Sequence, residues 1–241
     1  MEHPMHQVDL PDWAIERGRT LNDFPVLPRG RTVLLNIDMQ NVFVAEGQVF
    51  ASAHARDIVP AVNRLAVAMR GQGAPVIWTR TTHTFTGPFA APDWQYDRSD
   101  PTVAEGVAAL QAGASGHALY PLMDVAESDI VIDKYRYGAF ACPAGHLART
   151  LEDLDAELVV LTGTSTNCCC ETTAREANMA GYKVIVVSDA TAALNDAEHN
   201  AALLNLRVNF ADVRSAEEVL GMIAAFSSPP GGGGARRGGG D

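Results

Sequence analysis

Short apolar runs recur along the chain and alternate with longer stretches that carry apolar residues three or four positions apart. Each run is nearly all apolar, as expected for a β-strand that is covered on both faces. The pattern predicts six strands, over Val33–Ile37, Pro75–Thr79, Ile130–Ile132, Leu158–Leu161, Val184–Val187 and Leu206–Ala211.

The stretches between these runs predict helices. In the first of them, the apolar residues at helical spacing are Ile58, Val62, Leu65 and Met69. Because Pro60 fits only in the first turn of a helix, we expect this helix to run from Asp57 to Gln72. Glu171–Ala180 and Ala197–Leu204 show the same pattern. Strands that alternate with helices form βαβ units, so we expect an α/β fold with a mostly parallel six-stranded sheet and helices on both faces.

The two ends of the chain differ in composition from the region between them. Residues 1–30 contain several prolines and no sustained periodicity, so we expect an N-terminal arm that packs on the surface or on a partner subunit. Residues 227–241, SSPPGGGGARRGGGD, are too rich in glycine and proline to form a packed core, which predicts a disordered tail. The strands and helices between them predict one domain over residues 31–226.

One long segment interrupts the alternation of strands and helices. Residues 81–100 form a predicted loop, and loops of this length in compact domains usually have a function. Three of its side chains are suited to line a binding site: His83, Trp94 and Tyr96. We expect the segment to form either a wall or lid of a pocket or a contact between subunits.

Charge and composition argue against several classes of protein. A formal net charge of −11 disfavours a nucleic-acid or anionic membrane surface, since both require a concentrated positive face. No apolar run approaches the ~20 residues of a transmembrane helix, and the first residues lack the basic and apolar blocks of a secretory signal. We therefore expect a cytoplasmic protein that binds neither nucleic acid nor membranes.

Four cysteines, three of them consecutive, predict neither a disulfide framework nor a zinc site. Adjacent cysteines rarely meet disulfide geometry, and the CxxC spacing of structural zinc sites does not occur. Asp196 and His199 lie three residues apart on a predicted helix, but no third ligand is near them in sequence. We expect a carboxylate at a helix N-terminus and a surface or capping histidine, with no metal and no other cofactor.

Ionisable side chains stand at the ends of three predicted strands, at Asp38, at Lys134 and at the cysteines Cys168–Cys170. The carboxyl ends of parallel strands gather at one edge of a sheet, where ligands bind, so we expect these groups to share one site. A helix N-terminus favours a thiolate, and Asp38 is suited to take its proton while Lys134 stabilises negative charge. The pattern leaves open which thiol faces the site. Taken singly, an aspartate at a strand end such as Asp38 more often caps a turn, and a lone lysine there such as Lys134 is usually a solvated edge residue.

These segments resemble the isochorismatase-like cysteine hydrolases, a family of Rossmann-like α/β amidohydrolases. The resemblance covers roughly residues 32–224 and depends on three motifs: LLNIDMQNVF, DKYRYGAF and GTSTNCCCETTAREANMAGYKVIVVSDATAA. It implies that Asp38 is the general base and Lys134 the lysine of a catalytic triad. It also implies that Cys169 is the nucleophile, because Thr166 and Asn167 match the family pattern T-[N/D]-x-C.

The resemblance has further implications for the site. It implies an oxyanion hole formed by the main-chain N–H groups of Ser165 and Cys169, with a non-proline cis peptide between Thr164 and Ser165. It also implies a homodimer or a homotetramer. The neighbours of the catalytic residues in sequence, together with the long loop, are the expected substrate contacts: Gln40, Phe43, His83, Trp94, Tyr96, Tyr137 and Phe140.

The motifs also separate branches of this family. Isochorismatases proper lack the nucleophilic cysteine, and the Asp-x-His metal motif common in nicotinamidases does not follow Asp38. TNxCxE and KxRYxxF are most similar to the ureido and carbamoyl branch, which includes ureidoacrylate amidohydrolases. We expect a metal-independent amidohydrolase that cleaves a C–N bond of a small linear amide, carbamoyl or ureido compound through a thioester. The alternative is a thiol-based redox or binding protein on the same fold, without turnover.

Overall fold

The strands of the chain form one sheet through the centre of the protein. The computed structural model describes residues 5–225. Its strands are β1 (Thr32–Ile37), β2 (Val76–Thr81), β3 (Ile130–Lys134), β4 (Leu158–Thr164), β5 (Lys183–Ala192) and β6 (Asp212–Arg214). All neighbouring strands pair in parallel, in the order β3-β2-β1-β4-β5-β6. The predicted six-stranded parallel sheet is confirmed.

Helices connect the strands and cover both faces of the sheet. The α-helices within residues 5–225 are α1 (Asp12–Arg19), α2 (Asn41–Val44), α3 (Ala53–Asp57), α4 (Val59–Gly71), α5 (Pro101–Ala109), α6 (His146–Asp153), α7 (Glu171–Met179), α8 (Asp196–Asn209) and α9 (Ala216–Ala225). The helix predicted from Asp57 begins at Val59, and Pro60 lies in its first turn. A membrane crossing would require a longer and more apolar helix than any found in the described part of the chain.

Alternating side chains of the central strands separate the core into two layers. On one face, Leu34 of β1 and Val160 of β4 pack with α4 and α9. On the other face, Leu35 and Leu161 pack with α6, α7 and α8. β1 and β4 are buried along their whole lengths. Because both faces are covered, these strands appear in the sequence as continuous apolar runs.

The strand predicted over Leu206–Ala211 is wrong. Helix α8 continues to Asn209, and the sixth strand is the three-residue β6 that follows it. Leu203 and Leu206 lie on the buried face of α8, three residues apart. A short apolar run has the same appearance in a buried helix as in a buried strand, so the hydrophobic pattern could not distinguish the two.

The N-terminal segment packs on the body of the same chain. It contains helix α1, which the sequence pattern does not predict. Ala14 is buried, and a Cβ on Gly18 would lie 2.5 Å from the guanidinium Nε of Arg207 in α8. Small residues four positions apart allow this close approach but do not form the apolar stripe that marks an amphipathic helix. The predicted tail, residues 227–241, lies outside the described part of the chain.

Candidate active site

The ionisable groups at three strand ends meet at the carboxyl edge of the sheet. Asp38 follows β1, Lys134 is the last residue of β3, and Cys169 lies in a π-helical turn, Thr166–Cys170, that follows β4. From the neighbouring strands β1 and β4 the chain continues in opposite directions across the sheet. Loops diverge at such a switch point and leave a crevice, which is where ligands bind in open α/β sheets.

Lys134 joins the other two ionisable groups. Its ammonium lies 2.8 Å from Asp38 Oδ2 and 3.5 Å from Cys169 Sγ. It also donates to the carbonyl oxygens of Arg136 and Tyr137, each at 3.0 Å. Asp38 and Lys134 are 0% and 1% exposed, and Cys169 is 6% exposed. The structure therefore brings a carboxylate, an ammonium and a thiol into one buried group.

Two threonines of β2 hold the Asp38 carboxylate. Thr79 Oγ1 donates to Oδ1 at 2.8 Å, and Thr81 Oγ1 donates to Oδ2 at 2.7 Å. Thr81 Oγ1 also accepts from Lys134 Nζ at 2.6 Å, so one hydroxyl connects the ammonium to the carboxylate. Sequence reasoning missed both threonines. A signal was present, because two hydroxyl side chains two positions apart at a strand end project from the same face.

The backbone at Asp38 has an uncommon conformation. Its φ is 50°, in the left-handed region that few non-glycine residues occupy. The Asp38 N–H donates to Thr79 Oγ1 at 3.2 Å, and the Asp38 carbonyl accepts from the Gln40 N–H at 2.7 Å. Such a conformation costs on the order of 1 kcal/mol or more and persists where surrounding contacts fix it. Here those contacts direct the carboxylate towards Lys134.

Burial, hydrogen bonds and neighbouring charges together shift the pKa values of Lys134 and Cys169. Burial lowers the pKa of Lys134, but Asp38 and Cys169 more than offset this, so its pKa is raised and the ammonium stays charged. A hydrogen bond with Cys168 and burial raise the pKa of Cys169 well above its usual range, and Lys134 offsets only part of this rise. The buried Cys169 therefore holds its proton at rest.

The three consecutive thiols lie in different surroundings. Cys170 is fully buried in the core layer under α7, with its sulfur 3.9 Å from the Thr162 carbonyl oxygen. Cys168 is partly exposed and lines a cavity together with Cys169. Of the three, Cys169 is the one within hydrogen-bond distance of Lys134. This geometry favours Cys169 for the nucleophile, a role that stays a prediction.

Close packing between β1 and β4 positions the turn that carries Cys169. Gly163 has a φ of 110°, and a Cβ there would collide with the main chain of Ile37. Beyond it, the Ser165 carbonyl accepts from the N–H groups of Cys168 and Cys170, each at 3.1 Å. The peptide before Ser165 is cis, as the family resemblance implies. The oxyanion-hole role of the Ser165 and Cys169 N–H groups stays a prediction.

Glu176 of α7 holds the loop that follows β3 in place through hydrogen bonds. Its carboxylate accepts from the N–H groups of Phe140 and Ala141 at 2.9 and 3.2 Å. A Cβ on Gly138 would collide with this carboxylate, so a larger residue there would have to displace the Glu176 side chain. These bonds hold the loop in which the Tyr137 carbonyl meets Lys134. Sequence reasoning missed Glu176, since nothing local relates a helix residue to a loop so far upstream.

A cavity of about 430 Å³ opens beside Cys169, which is a volume typical of small-molecule sites. Its polar lining residues include Cys169 and four others, Thr81, Thr164, Ser165 and Cys168. The remaining lining residues are apolar or aromatic: Phe43, Val49, Phe50, Ala51, Tyr96, Leu110, Tyr137 and Leu194. The cavity therefore joins a reactive polar end to an apolar wall.

The seven predicted substrate contacts fall into two groups. Those that line the cavity are Phe43, Tyr96 and Tyr137. Those that lie outside it are Gln40, His83, Trp94 and Phe140. Successive residues of a turn or loop point in different directions, so closeness in sequence to Asp38 or Lys134 does not place a side chain in the cavity, and substrate contact by the second group stays a prediction.

Each of the four outlying side chains has another environment. Gln40 is fully buried, and its amide bonds main-chain groups of two neighbouring segments. Phe140 packs in the core layer with α7. His83 contacts the edge of the Tyr96 ring, and Trp94 is 85% exposed. Of the three loop side chains predicted to contact the substrate, Tyr96 is therefore the one that lines the cavity.

A stack of histidines lies beside the turn that carries Cys169. The His6 ring lies between His54 and His199, with centroids 3.9 and 4.2 Å away. His6 Nδ1 donates to Asp196 at 2.7 Å, and Nε2 accepts from the Ala193 N–H at 3.1 Å. Within residues 5–225, His6, His54 and Asp196 form the one group whose spacing could hold a metal ion. Because both nitrogens of His6 already have protein partners, we interpret the stack as an anchor for the N-terminal segment.

The prediction of a surface or capping role for His199 is wrong. Its side chain is fully buried, and its Nδ1 lies 2.9 Å from Thr166 Oγ1, at the start of the π-helical turn that carries Cys169. Burial and the neighbouring His6 lower the pKa of His199 to about 4, so the ring is neutral at physiological pH. Asp196 does begin α8, as predicted.

The doubly wound sheet and the buried carboxylate, ammonium and thiol at its switch point define the class, an α/β protein with a cysteine-based site. Comparison with known proteins supplies the family. The isochorismatase domain matches residues 32–218, and the chain belongs to the isochorismatase family. The resemblance inferred from the sequence motifs is confirmed.

Named relatives and solved structures agree with this assignment. Nicotinamidase 3 of Arabidopsis thaliana is 33% identical over 184 residues, which cover 74% of this chain and 81% of that protein. A ureidoacrylate amidohydrolase of Methylobacterium radiotolerans is 29% identical over 208 residues, covering 79% of this chain and 80% of that protein. The crystal structure of a cysteine hydrolase from Pseudomonas syringae pv. phaseolicola matches with a TM-score of 0.75 and 25% identity, covering 86% of this chain and 98% of that chain.

Proposed function

We propose that this protein is a cysteine-dependent amidohydrolase that cleaves the C–N bond of a small linear amide, carbamoyl or ureido compound. The observation that carries the proposal is the position of Lys134 Nζ, 2.8 Å from Asp38 Oδ2 and 3.5 Å from Cys169 Sγ, beside a small-molecule cavity. The relatives named nicotinamidase and ureidoacrylate amidohydrolase point to the same class of reaction.

The first half of the reaction forms a thioester. Asp38 takes the proton of the Cys169 thiol as the sulfur attacks the carbonyl carbon, and the electron pair of the C=O bond moves to oxygen. The N–H groups of Ser165 and Cys169 donate to this oxyanion. When the C=O bond reforms, the C–N bond breaks, and Asp38 returns its proton to the departing nitrogen as ammonia or an amine.

The second half releases the acid. Asp38 takes a proton from a water molecule as its oxygen attacks the thioester carbonyl, and the C–S bond then breaks. The proton on Asp38 passes to the sulfur, which restores the resting thiol. Lys134 stays charged throughout, holds the Asp38 carboxylate through Thr81, and stabilises the thiolate as it forms.

Substitution of each cysteine in turn tests this function. We expect Cys169→Ala to abolish ammonia release from a panel of small amides and ureides while the circular dichroism spectrum stays unchanged. Cys168→Ala and Cys170→Ala are the matched controls, and we expect both to retain much of the activity. Mass spectrometry of the acid-quenched reaction should find an acyl group on the wild-type chain and none on Cys169→Ala. Full activity of Cys169→Ala would contradict the mechanism.

The same panel distinguishes the alternative function. A thiol-based redox or binding protein without turnover would release no ammonia, and its thiol chemistry would not depend on Asp38 or Lys134. The burial of this ion pair against the sulfur argues for turnover instead. We also propose a homodimer or homotetramer, on the family resemblance, and light scattering should then give the mass of two or four chains.

A further inference from the structure

The cavity beside Cys169 has an uncharged lining. Among residues 5–225, no lysine, arginine, histidine, aspartate or glutamate lines it. Besides the polar residues around Cys169, its wall consists of two tyrosines, Tyr96 and Tyr137, and of the apolar residues Phe43, Val49, Phe50, Ala51, Leu110 and Leu194. The part of a substrate that extends beyond the reacting amide therefore meets hydrocarbon.

Arg98 is the cation closest in sequence to the cavity residue Tyr96. Its guanidinium pairs with Asp93 at 2.9 Å and lies over the Phe85 ring, 4.9 Å from the centroid. This packing directs Arg98 to the side of the loop that carries Phe85, a residue that does not line the cavity. The loop therefore brings an aromatic ring to the site and holds its charge elsewhere.

The two cationic residues just before Tyr137 in sequence, Lys134 and Arg136, also have partners within the protein. Arg136 donates to three main-chain carbonyls, those of Phe89, Ala90 and Tyr135. Lys134 is paired with Asp38. Neither side chain is available to compensate a negative charge on the acyl group of a substrate.

The two tyrosines of the wall, Tyr96 and Tyr137, supply no positive charge either. Burial and a hydrogen bond with Tyr137 raise the pKa of Tyr96 far above its usual value, so Tyr96 stays uncharged. The hydrogen bond between the two hydroxyl groups uses one of their two phenolic protons, and neither hydroxyl carries a positive charge that could compensate an anion. The wall thus offers a substrate ring faces and methyl groups.

The aromatic rings of the apolar wall are packed against neighbouring residues. Phe50 stacks with Phe43, and the centroids of the two rings are 6.4 Å apart. The nearest atom of the Phe50 ring lies 2.5 Å from the position that a Cβ on Gly106 would occupy. Glycine inside a helix is unfavourable by roughly 1 kcal/mol relative to alanine, and at Gly106 of α5 it makes room for this ring. A packed aromatic surface of this kind fits a flat or branched hydrocarbon group.

We infer, on the basis of the function proposed above, that the enzyme selects uncharged carboxamides whose acyl group is an aromatic or branched hydrocarbon. Amides and ureides that carry a carboxylate are poor substrates. A carboxylate in this cavity would lose its hydration without gaining a cation, because the Lys134 ammonium is already paired with Asp38. This selectivity differs from the ureido preference that the motifs TNxCxE and KxRYxxF favour.

Two pairs of substrates of matched shape test the inference. The pairs are 4-isopropylbenzamide with 4-carbamoylbenzoate, and 4-methylpentanamide with succinamate, and 3-ureidopropanoate serves as a carboxylated ureide. We expect kcat/KM for ammonia release to be roughly 100-fold or more higher for the neutral member of each pair. Equal or faster turnover of the carboxylated compounds would overturn the selectivity and leave the amidohydrolase function intact. If no compound releases ammonia and none acylates Cys169, both the function and the selectivity are overturned.

Leu194→Arg provides a second test on the protein itself. Leu194 lines the cavity and is 62% exposed, so a longer side chain fits at this rim without a change in the core. We expect the arginine to raise kcat/KM for 4-carbamoylbenzoate at least tenfold and to lower it for 4-isopropylbenzamide. Leu194→Gln is the control that changes polarity without adding charge, and we expect no gain for the anion. An unchanged ratio of the two substrates in Leu194→Arg would overturn the assignment of this wall to the acyl group.

Discussion

The Lys134 ammonium lies 2.8 Å from the Asp38 carboxylate, and both side chains are almost completely inaccessible to solvent. Removal of either partner leaves an uncompensated buried charge, at a cost of about 3–5 kcal/mol. We therefore expect Lys134→Met to lower the free energy of unfolding by this amount and to reduce kcat/KM by at least about 100-fold. Urea unfolding and ammonia release measure the two effects.

A double substitution is the control for this pair. Asp38→Asn combined with Lys134→Met removes both charges, so we expect the double variant to be less destabilised than the sum of the two single variants. Strictly additive losses in the unfolding free energy would show that the two groups do not interact.

Thr81 is expected to matter more for catalysis than Thr79. Both hydroxyls donate to Asp38, but Thr81 alone of the two also accepts from Lys134. Thr81→Val and Thr79→Val keep the shape of the side chain and leave a buried acceptor unsatisfied, at about 1–3 kcal/mol each. We expect similar losses of stability, with the larger fall in kcat for Thr81→Val. Equal effects on kcat would argue against a coupling role for the Thr81 hydroxyl.

The stability of the protein is expected to fall on acidification. Burial and His6 lower the pKa of His199 to about 4 in the folded chain, from an ordinary value of 6.5. Between these values the unfolded chain binds more protons, so the unfolding free energy decreases as the pH falls through this window and levels off below it. The loss from His199 is on the order of 3 kcal/mol. Lowered pKa values of His83 and His117, both mainly due to burial, act in the same direction.

His199→Gln isolates this contribution. We expect the variant to be less stable at neutral pH, because the contact with Thr166 changes, but to lose less stability as the pH is lowered through the same window. Chemical unfolding over a pH series measures the slope. A slope equal to that of the wild type would mean that His199 does not titrate in this range.

Gly106→Ala is expected to alter the apolar wall of the cavity. An added Cβ would lie 2.5 Å from the Phe50 ring, so the ring must move. We expect kcat/KM for 4-isopropylbenzamide to change by roughly tenfold, as for a misfit of about one methylene group, while acetamide changes little. Gly221→Ala is the matched control, since this glycine lies in α9 with nothing within 4 Å of its Cβ position, and there alanine should be neutral or stabilising.

Much of the architecture could be predicted from local patterns. Five of the strands stand out as apolar runs, and the helix after β4 follows from its spacing of alanines and its glycine end. The sixth strand could not be found, because three residues after a long buried helix give no periodic signal. Helix α1 was missed for a similar reason, since it packs through Ala14 and Gly18, which are too small to mark an apolar face.

By itself, the sequence determined the parallel sheet and the ionisable ends of its strands, because a strand buried on both faces requires a continuous apolar run and ends where polar residues begin. Only the tertiary structure decided which thiol meets Lys134, which hydroxyls hold Asp38, and that the cavity wall carries no charge. The thiol contact of Lys134 and the hydroxyl contacts of the two threonines join residues 35 to 53 positions apart, and they depend on strand order and register, about which local periodicity contains no information.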